Sequence, residues 1–108
     1  MIQTLLFICS ANRLRSPTAE QVFSQYPNIE ARSAGLNHDA VDPLSPDHFD
    51  HVDIVFVMEK AQRGKLRRRF KSHLGKARIV CLDIPDDFAF MQPELITLLK
   101  ARVTPHLR

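Results

Sequence analysis

Continuously apolar runs are the clearest pattern in this chain, and they predict strands that are buried on both faces of a sheet. A half-exposed strand would instead alternate apolar and polar residues. Such a run covers residues 5–9, the segment 53–58 is almost wholly apolar after Asp53, and the segment 78–82 is apolar after Arg78. A fourth, short strand is predicted over 29–34, where Gly35 closes it. Buried strands of this type are typical of a parallel sheet.

Between the strands, apolar residues recur at helical spacing, and turn residues mark where the helices begin and end. The first helix is predicted to have Ser16 as its N-cap and Pro17 at its first position, where the missing N–H costs nothing. Pro27 is expected to end it. Two further helices are predicted over residues 59–71 and 93–103.

Strands that alternate with helices indicate right-handed crossovers and a sheet covered on both faces. We therefore expect an α/β fold, a Rossmann-like three-layer α/β/α arrangement with a four-stranded parallel sheet, in one domain spanning residues 1–108. The segment 36–49 predicts mostly loop, with one helical turn from Pro46. Ligands bind such sheets beyond the carboxyl ends of the strands, where residues 10–15 and 83–87 are expected to meet.

A thiol and a guanidinium flank the loop after the first strand, with five residues between Cys9 and Arg15. A loop whose amides converge at a helix N-terminus offers donors and partial positive charge to an anion. The same field favours the thiolate of Cys9, which is its nucleophilic form. The planar fork of Arg15 can bind two phosphate oxygens, as a lysine could not. The motif therefore predicts a site for a phosphate dianion with a nucleophile at its base.

Composition adds only a weak preference for anions. The net charge is +3, and the excess is concentrated in residues 65–71, which predicts mild steering of anionic partners and is only weak evidence for nucleic acid. The aromatic stacking platform of a single-strand nucleic-acid binder is missing, so nucleic acid is not expected as a partner. The apolar run 5–9 is too short for a signal core or a membrane span, so we expect a cytoplasmic protein without a membrane partner. Cys81 is expected in the core of its strand, with no disulfide scaffold. The histidines show no metal-ligand spacing, and neither a metal nor another cofactor is predicted.

Several short segments occur in an order and at spacings that are shared with a known family. They are Phe7–Asn12 with Arg15–Glu20, then Ser33–Gly35, Asp53–Met58 and Asp83–Asp86. On these motifs, nearly the whole chain resembles the low-molecular-weight protein tyrosine phosphatases. The resemblance implies a fold of the phosphotyrosine phosphatase I type and hydrolysis of phosphotyrosine without a cofactor. The implied substrate is a phosphotyrosine protein or a small aryl phosphate, with inorganic phosphate or sulfate able to occupy the loop.

The resemblance also implies a role for each matching residue. Cys9 would attack phosphorus to form a cysteinyl-phosphate, while Arg15 would hold the phosphoryl oxygens. Asp86 would protonate the leaving phenolate, with the adjacent Asp87 as the alternative acid. Ser16 would stabilise the departing thiolate. The substrate-binding residues would be Ser10, Ala11, Asn12, Arg13, Leu14 and Ser16, and the supporting residues Asn12, Ser33 and Asp87.

The chain also departs from the family pattern. Ala11 stands where glycine is usual, and Leu14 replaces a second cysteine, so the protective disulfide cannot form and the nucleophile is open to irreversible oxidation. Asp87 and Phe88 replace a proline and a tyrosine. The segment 36–52 is shorter than the family norm, which affects the wall of the substrate cleft.

Two alternatives stay open. The short segment 36–52 and the altered turn 86–88 suit a module that captures phosphorylated or anionic partners with little turnover. Arsenate reduction is known on the same scaffold, but its thioredoxin-coupled form needs three thiols. This chain has only Cys9 and Cys81.

Overall fold

A four-stranded parallel sheet forms the middle of the structure, a computed structural model that describes residues 1–108. Its strands are β1 (Gln3–Cys9), β2 (Ile29–Gly35), β3 (Ile54–Val57) and β4 (Arg78–Cys81). The helices are α1 (Arg15–Phe23), α2 (Lys60–Leu74) and α3 (Pro93–Val103), with single helical turns at Pro46–Phe49 and Thr104–His106. The strand order is β2-β1-β3-β4, and all neighbouring pairs are parallel.

Side chains of β1 enter two separate cores, because successive residues of a strand point to opposite faces of the sheet. Leu5 and Phe7 enter the core that α1 and α3 cover, whereas Leu6 and Ile8 enter the core that α2 covers. Every residue of β1 and β3 is buried, as their continuous apolar runs predict. The predicted three-layer α/β/α arrangement is therefore confirmed.

The start of α1 differs from the prediction. The helix begins at Arg15, and Leu14 occupies the N-cap position without a side-chain hydrogen bond. Ser16, predicted as the N-cap, instead lies buried inside the first turn. Its hydroxyl is bound to the thiol of Cys9. The hydroxyl that would cap the helix is thus bound to Cys9 instead. The prediction of Ser16 as the N-cap is wrong.

One edge of the sheet and the end of α1 also differ from the predictions, in smaller ways. β4 has a neighbour on one side only, so Cys81 is half-buried at the margin of a core instead of inside it. An apolar run does not reveal that its strand lies at an edge. α1 ends at Phe23, before Pro27, and the helical turn predicted from Pro46 is present.

The position of β1 between β2 and β3 places the end of β1 at a switch in the direction of winding. Ligands of open α/β sheets bind at such a switch, beyond the carboxyl ends of the strands. Residues 10–14 leave β1 at this point and lead directly into α1. No helix of the structure combines the length and the apolar character needed to cross a membrane.

Candidate active site

The loop between β1 and α1 lines a cavity of about 410 Å³ at the carboxyl edge of the sheet. The lining residues are Cys9, Ser10, Ala11, Arg13, Leu14, Arg15 and Asp86. The backbone amides of the four lining residues between Cys9 and Arg15 donate no hydrogen bond within the chain. The cavity thus combines free amide donors with the N-terminus of α1, and this combination binds anions.

Cys9 lies at the base of this cavity with its thiol held by two polar groups. The Sγ atom is 2.9 Å from Oγ of Ser16. The backbone N–H of Asn12 donates to the same sulfur at 3.3 Å. Both groups can donate a hydrogen bond to the sulfur, and hydrogen bonds are stronger when their acceptor carries charge, so both contacts can stabilise negative charge that forms there during a reaction.

Asn12 ties the loop to the two elements beside it. Its backbone has a φ of 55°, a left-handed conformation that asparagine adopts more readily than most residues. Its Nδ2 donates to Oγ of Ser16 at 2.9 Å and to Oγ of Ser33 at 3.0 Å. Ser33 in turn donates to the carboxylate of Glu20. The hydroxyl of Ser16 accepts from Asn12 and can in turn donate its own proton to the sulfur of Cys9.

The guanidinium of Arg15 is buried, with 3% of the side chain exposed, and is anchored along one edge. Nη1 donates to the carbonyl of Ile84 at 2.8 Å and lies 3.3 Å from Oε2 of Glu59. Nε is 3.7 Å from Oδ1 of Asp86. Nε and Nη2 make no hydrogen bond within the chain, so this edge is free to bind two oxygens of one anion.

The two segments predicted to meet at one edge of the sheet do so. Asp86 lines the cavity and contacts Arg15, although its side chain is 63% exposed. Asp87 is exposed, does not line the cavity and forms no ion pair. Phe88 also lies outside the cavity, where it packs against the core of α1 and α3. Of the two adjacent aspartates, only Asp86 is therefore close to the loop.

The departures from the family pattern within the loop fit its backbone. Ala11 does not have a positive φ, so its methyl group meets no conformational penalty there. Leu14 is half-buried and lines the cavity, and Arg13 is exposed at the mouth without an ion-pair partner. The loop therefore presents one exposed, unpaired cation, Arg13, and one buried, anchored cation, Arg15, to the cavity.

Two residues that the sequence did not single out support the site from α2. The buried Gln62 accepts from the backbone N–H groups of Met58 at 2.8 Å and Glu59 at 3.0 Å. Its Nε2 donates to Oγ of Ser10 at 3.3 Å. A glutamate and a glutamine three residues apart at a helix start form a capping box, which is present here. This capping box directly follows the buried strand β3, at the edge of the sheet where ligands bind. Its position could have marked both Glu59 and Gln62 as residues near the site.

The second cysteine lies outside the cavity. The Sγ of Cys81 is 3.4 Å from Oδ1 of Asp83. Burial raises the pKa of the Cys81 thiol above its ordinary value, and the neighbouring Asp83 carboxylate raises it further. The structure contains no group of three or more histidine, cysteine, aspartate or glutamate side chains arranged to hold a metal ion.

The fold is that of solved low-molecular-weight protein tyrosine phosphatases and related phosphatases. The YwlE arginine phosphatase from Geobacillus stearothermophilus is 23% identical, with 91% of this chain and 88% of that chain covered and a TM-score of 0.72. The tyrosine phosphatase Wzb from Escherichia coli K30, solved with phosphate, is 21% identical, with 94% of each chain covered and a TM-score of 0.72. SP-PTP, a low molecular weight protein tyrosine phosphatase from Streptococcus pyogenes, is 14% identical, with 99% and 95% covered and a TM-score of 0.77.

These likenesses confirm the predicted fold. No family model matches the sequence, and no curated protein does so either. At such identities the activity has to be argued from the geometry of the site.

Proposed function

We propose that this protein is a phosphatase that hydrolyses phosphotyrosine through a cysteinyl-phosphate on Cys9. One observation carries the proposal: the sulfur of Cys9, held by Ser16 and by the N–H of Asn12, lies at the base of a cavity whose other lining residues offer free amides and the free edge of Arg15. A nucleophile below an anion site faces the phosphorus of any phosphate bound there.

In the first step, the thiolate of Cys9 attacks phosphorus and the bond from phosphorus to the phenolic oxygen breaks. The loop amides and Arg15 bind the three phosphoryl oxygens, on which charge is spread in the transition state. Asp86 lies 3.7 Å from Nε of Arg15, at the cavity, and its carboxyl group transfers a proton to the leaving oxygen. The products of this step are a phenol and a cysteinyl-phosphate.

In the second step, water attacks the phosphorus of the intermediate. The carboxylate of Asp86 takes a proton from this water, and the bond from sulfur to phosphorus breaks. The sulfur leaves as a thiolate, which the hydroxyl of Ser16 stabilises from 2.9 Å. Inorganic phosphate is released and the enzyme returns to its starting state, so no metal or organic cofactor takes part in either step.

The solved structures with this fold support the substrate class. The E. coli protein is named a tyrosine phosphatase and was solved with phosphate. Another is a Wzb from Vibrio vulnificus in complex with benzylphosphonate, a compound with an aromatic ring next to its phosphorus group. The G. stearothermophilus protein is named an arginine phosphatase. Arg13 at the mouth would repel a cationic guanidinium group, which favours phosphotyrosine. A nucleophilic thiol also suits a reducing compartment such as the cytoplasm.

Hydrolysis of p-nitrophenyl phosphate and of a phosphotyrosine peptide tests the proposal. The reduced wild-type protein should hydrolyse both, and Cys9→Ser should abolish turnover. Cys81→Ser is the matched control, because this thiol lies outside the cavity, and it should retain full activity. A pure, reduced and folded protein that leaves both substrates intact would exclude the phosphatase.

A second candidate function is a module that binds phosphorylated partners with little turnover. This function is favoured because few contacts position Asp86: its side chain is 63% exposed, and its one ion pair is the 3.7 Å contact with Arg15. A binding module would retain affinity for phosphate but show no dependence of phosphate release on Asp86. Comparison of wild type with Asp86→Asn in both assays distinguishes the two functions.

A further inference from the structure

A second cavity lies beside the loop of the candidate active site, and basic side chains dominate it. It has a volume of about 550 Å³. Its lining residues are Leu36, Asn37, His38, Asp39, Lys65, Arg68 and Arg69. Three permanent cations therefore face a single carboxylate. We refer to it as the basic cavity.

The positive charge of the basic cavity is not neutralised within the chain. Lys65, Arg68 and Arg69 take part in none of the ion pairs of the structure. Arg69 donates to the carbonyl of Leu36 at 2.7 Å, which is a neutral acceptor and keeps the full charge at the wall. Uncompensated cations that line one concave surface create a positive potential that attracts anionic groups.

Arg68 is directed back along α2 toward the candidate active site. A Cβ atom added to Gly64 would lie 3.3 Å from Nη1 of Arg68, so the guanidinium rests beside the glycine one turn earlier. Glycine in the middle of a helix costs about 1 kcal/mol relative to alanine. The missing side chain of Gly64 leaves room for the guanidinium of Arg68 near the N-terminal end of α2, which is the end closer to the loop of the candidate active site.

The walls of the basic cavity are the segment after β2 and the helix α2. Both of them also contact the loop between β1 and α1. The N–H of Asn37 donates to the carbonyl of Ser10 at 3.0 Å, and Nε2 of Gln62 donates to Oγ of Ser10 at 3.3 Å. Lys65 and Arg69 follow Gln62 on the same face of α2, displaced along its axis by about 4.5 Å and about 10 Å. An extended peptide that starts at the loop beside Gln62 covers the distance to Arg69 in roughly three residues.

We propose that the basic cavity binds acidic side chains of the substrate protein, located about three or four residues from the phosphorylated residue. This inference rests on the proposed function and adds to it a preference for an acidic sequence around the phosphotyrosine. Carboxylates suit the surface because the three cations are separate groups spread over little more than one turn of a helix, which several side chains can contact together.

The test compares two phosphotyrosine peptides that differ only in a pair of glutamates or a pair of glutamines, three and four residues from the phosphotyrosine. Both N-terminal and C-terminal placements are made. The wild-type protein should prefer the glutamate peptide in one placement by about three- to tenfold in kcat/KM, the range of two exposed charge pairs. The preference should decline as salt is added.

Two double variants locate the effect. Lys65→Ala with Arg68→Ala should remove the preference, while kcat/KM for p-nitrophenyl phosphate stays unchanged. Arg67→Ala with Lys71→Ala removes the same charge from exposed positions of α2 that do not line the basic cavity, and it should keep the preference. Equal loss in both double variants would indicate net charge instead of a site and would overturn the inference, as would a wild type without preference.

Failure of the proposed function can be recognised separately. If p-nitrophenyl phosphate is not hydrolysed, the phosphatase is excluded, and binding of the unphosphorylated glutamate peptide still measures the basic cavity. Wild type should then bind this peptide several-fold more tightly than the glutamine peptide, and Lys65→Ala with Arg68→Ala should abolish the difference. Tighter binding of a single-stranded oligonucleotide than of the glutamate peptide would also overturn the inference.

Discussion

The hydroxyl oxygen of Ser16 lies 2.9 Å from the sulfur of Cys9, inside the first turn of α1. Asn12 donates to the same hydroxyl, whose own proton can be donated to the sulfur. The thiolate is needed twice in the proposed reaction, as the attacking group and as the leaving group. The contact therefore lowers the energy of both forms of the enzyme in which the sulfur carries charge.

We expect Ser16→Ala to reduce kcat for p-nitrophenyl phosphate by about 10- to 100-fold, the value of one hydrogen bond to a charged group. KM should change little, because the hydroxyl does not line the cavity. Steady-state kinetics measure both quantities. Ser72→Ala, which removes an exposed hydroxyl from α2, should be indistinguishable from wild type. A Ser16→Ala protein with unchanged kcat would contradict the role of the contact.

Asp86→Asn should reduce kcat by about 10²- to 10⁴-fold for substrates with poor leaving groups, since a positioned acid contributes that much. The loss should shrink as the leaving group becomes more acidic, because a good leaving group needs no proton. Asp87→Asn is the matched control: its side chain lies outside the cavity, and its kinetics should equal those of wild type. A larger loss in Asp87→Asn would transfer the acid role to that residue. A series of substituted phenyl phosphates makes the comparison.

Gly35→Ala should damage the loop and the fold together. A Cβ atom at Gly35 would lie 2.5 Å from Cβ of Ala40 and 2.8 Å from the carbonyl oxygen of Ser10. Ser10 belongs to the loop between β1 and α1, so its backbone cannot move away without displacing that loop. We expect the free energy of unfolding to fall by about 1–3 kcal/mol, as for other overpacked sites. Hydrolysis should fall as well. Urea denaturation and steady-state kinetics measure the two effects.

Gly64→Ala is the contrasting variant. Its added Cβ would meet only the mobile end of Arg68, at 3.3 Å. The gain in helix propensity should therefore raise the free energy of unfolding by up to about 1 kcal/mol. Hydrolysis of p-nitrophenyl phosphate should not change. Equal destabilisation by both glycine substitutions would show that the close approach at Gly35 is not the cause.

Alkylation should distinguish the two cysteines. The pKa of the Cys81 thiol is raised by burial and by Asp83, so its reactive thiolate is scarce at neutral pH and increases only above the ordinary range of a thiol. Iodoacetamide at neutral pH should modify Cys9 first, and inorganic phosphate should protect it. Modification of Cys81 should increase as the pH rises. Mass spectrometry of the digested protein reports each site, and faster labelling of Cys81 at neutral pH would contradict the assignment.

Much of the fold could be predicted because it depends on local pattern. The continuous apolar runs indicated the buried strands β1 and β3, and alternation with helices indicated the parallel sheet. The edge position of β4 could not be predicted, because the number of neighbouring strands is a property of the assembled sheet. The N-cap was misplaced because the hydroxyl of Ser16 binds the sulfur of Cys9 from across the loop.

The same contrast holds for the candidate site. Cys9 and Arg15 belong to one short segment, so their spacing was visible in the sequence. The contacts of Arg15 with Glu59 and with the carbonyl of Ile84 join segments that are far apart along the chain, and only the assembled sheet brings them together. Gln62 was missed because a glutamine in a first helical turn usually serves the helix alone.

The central claim is that Cys9 forms a covalent bond to phosphorus. Rapid-quench kinetics with p-nitrophenyl phosphate test this most directly, with the acid-quenched protein digested and the phosphorylated residue located by mass spectrometry. We predict a burst of one phenol per protein molecule, with the phosphoryl group on Cys9. The Asp86→Asn variant should hydrolyse the intermediate slowly and therefore accumulate it. Two results together would contradict the mechanism: phenol release at a constant rate, and no phosphorylated Cys9 even in this variant.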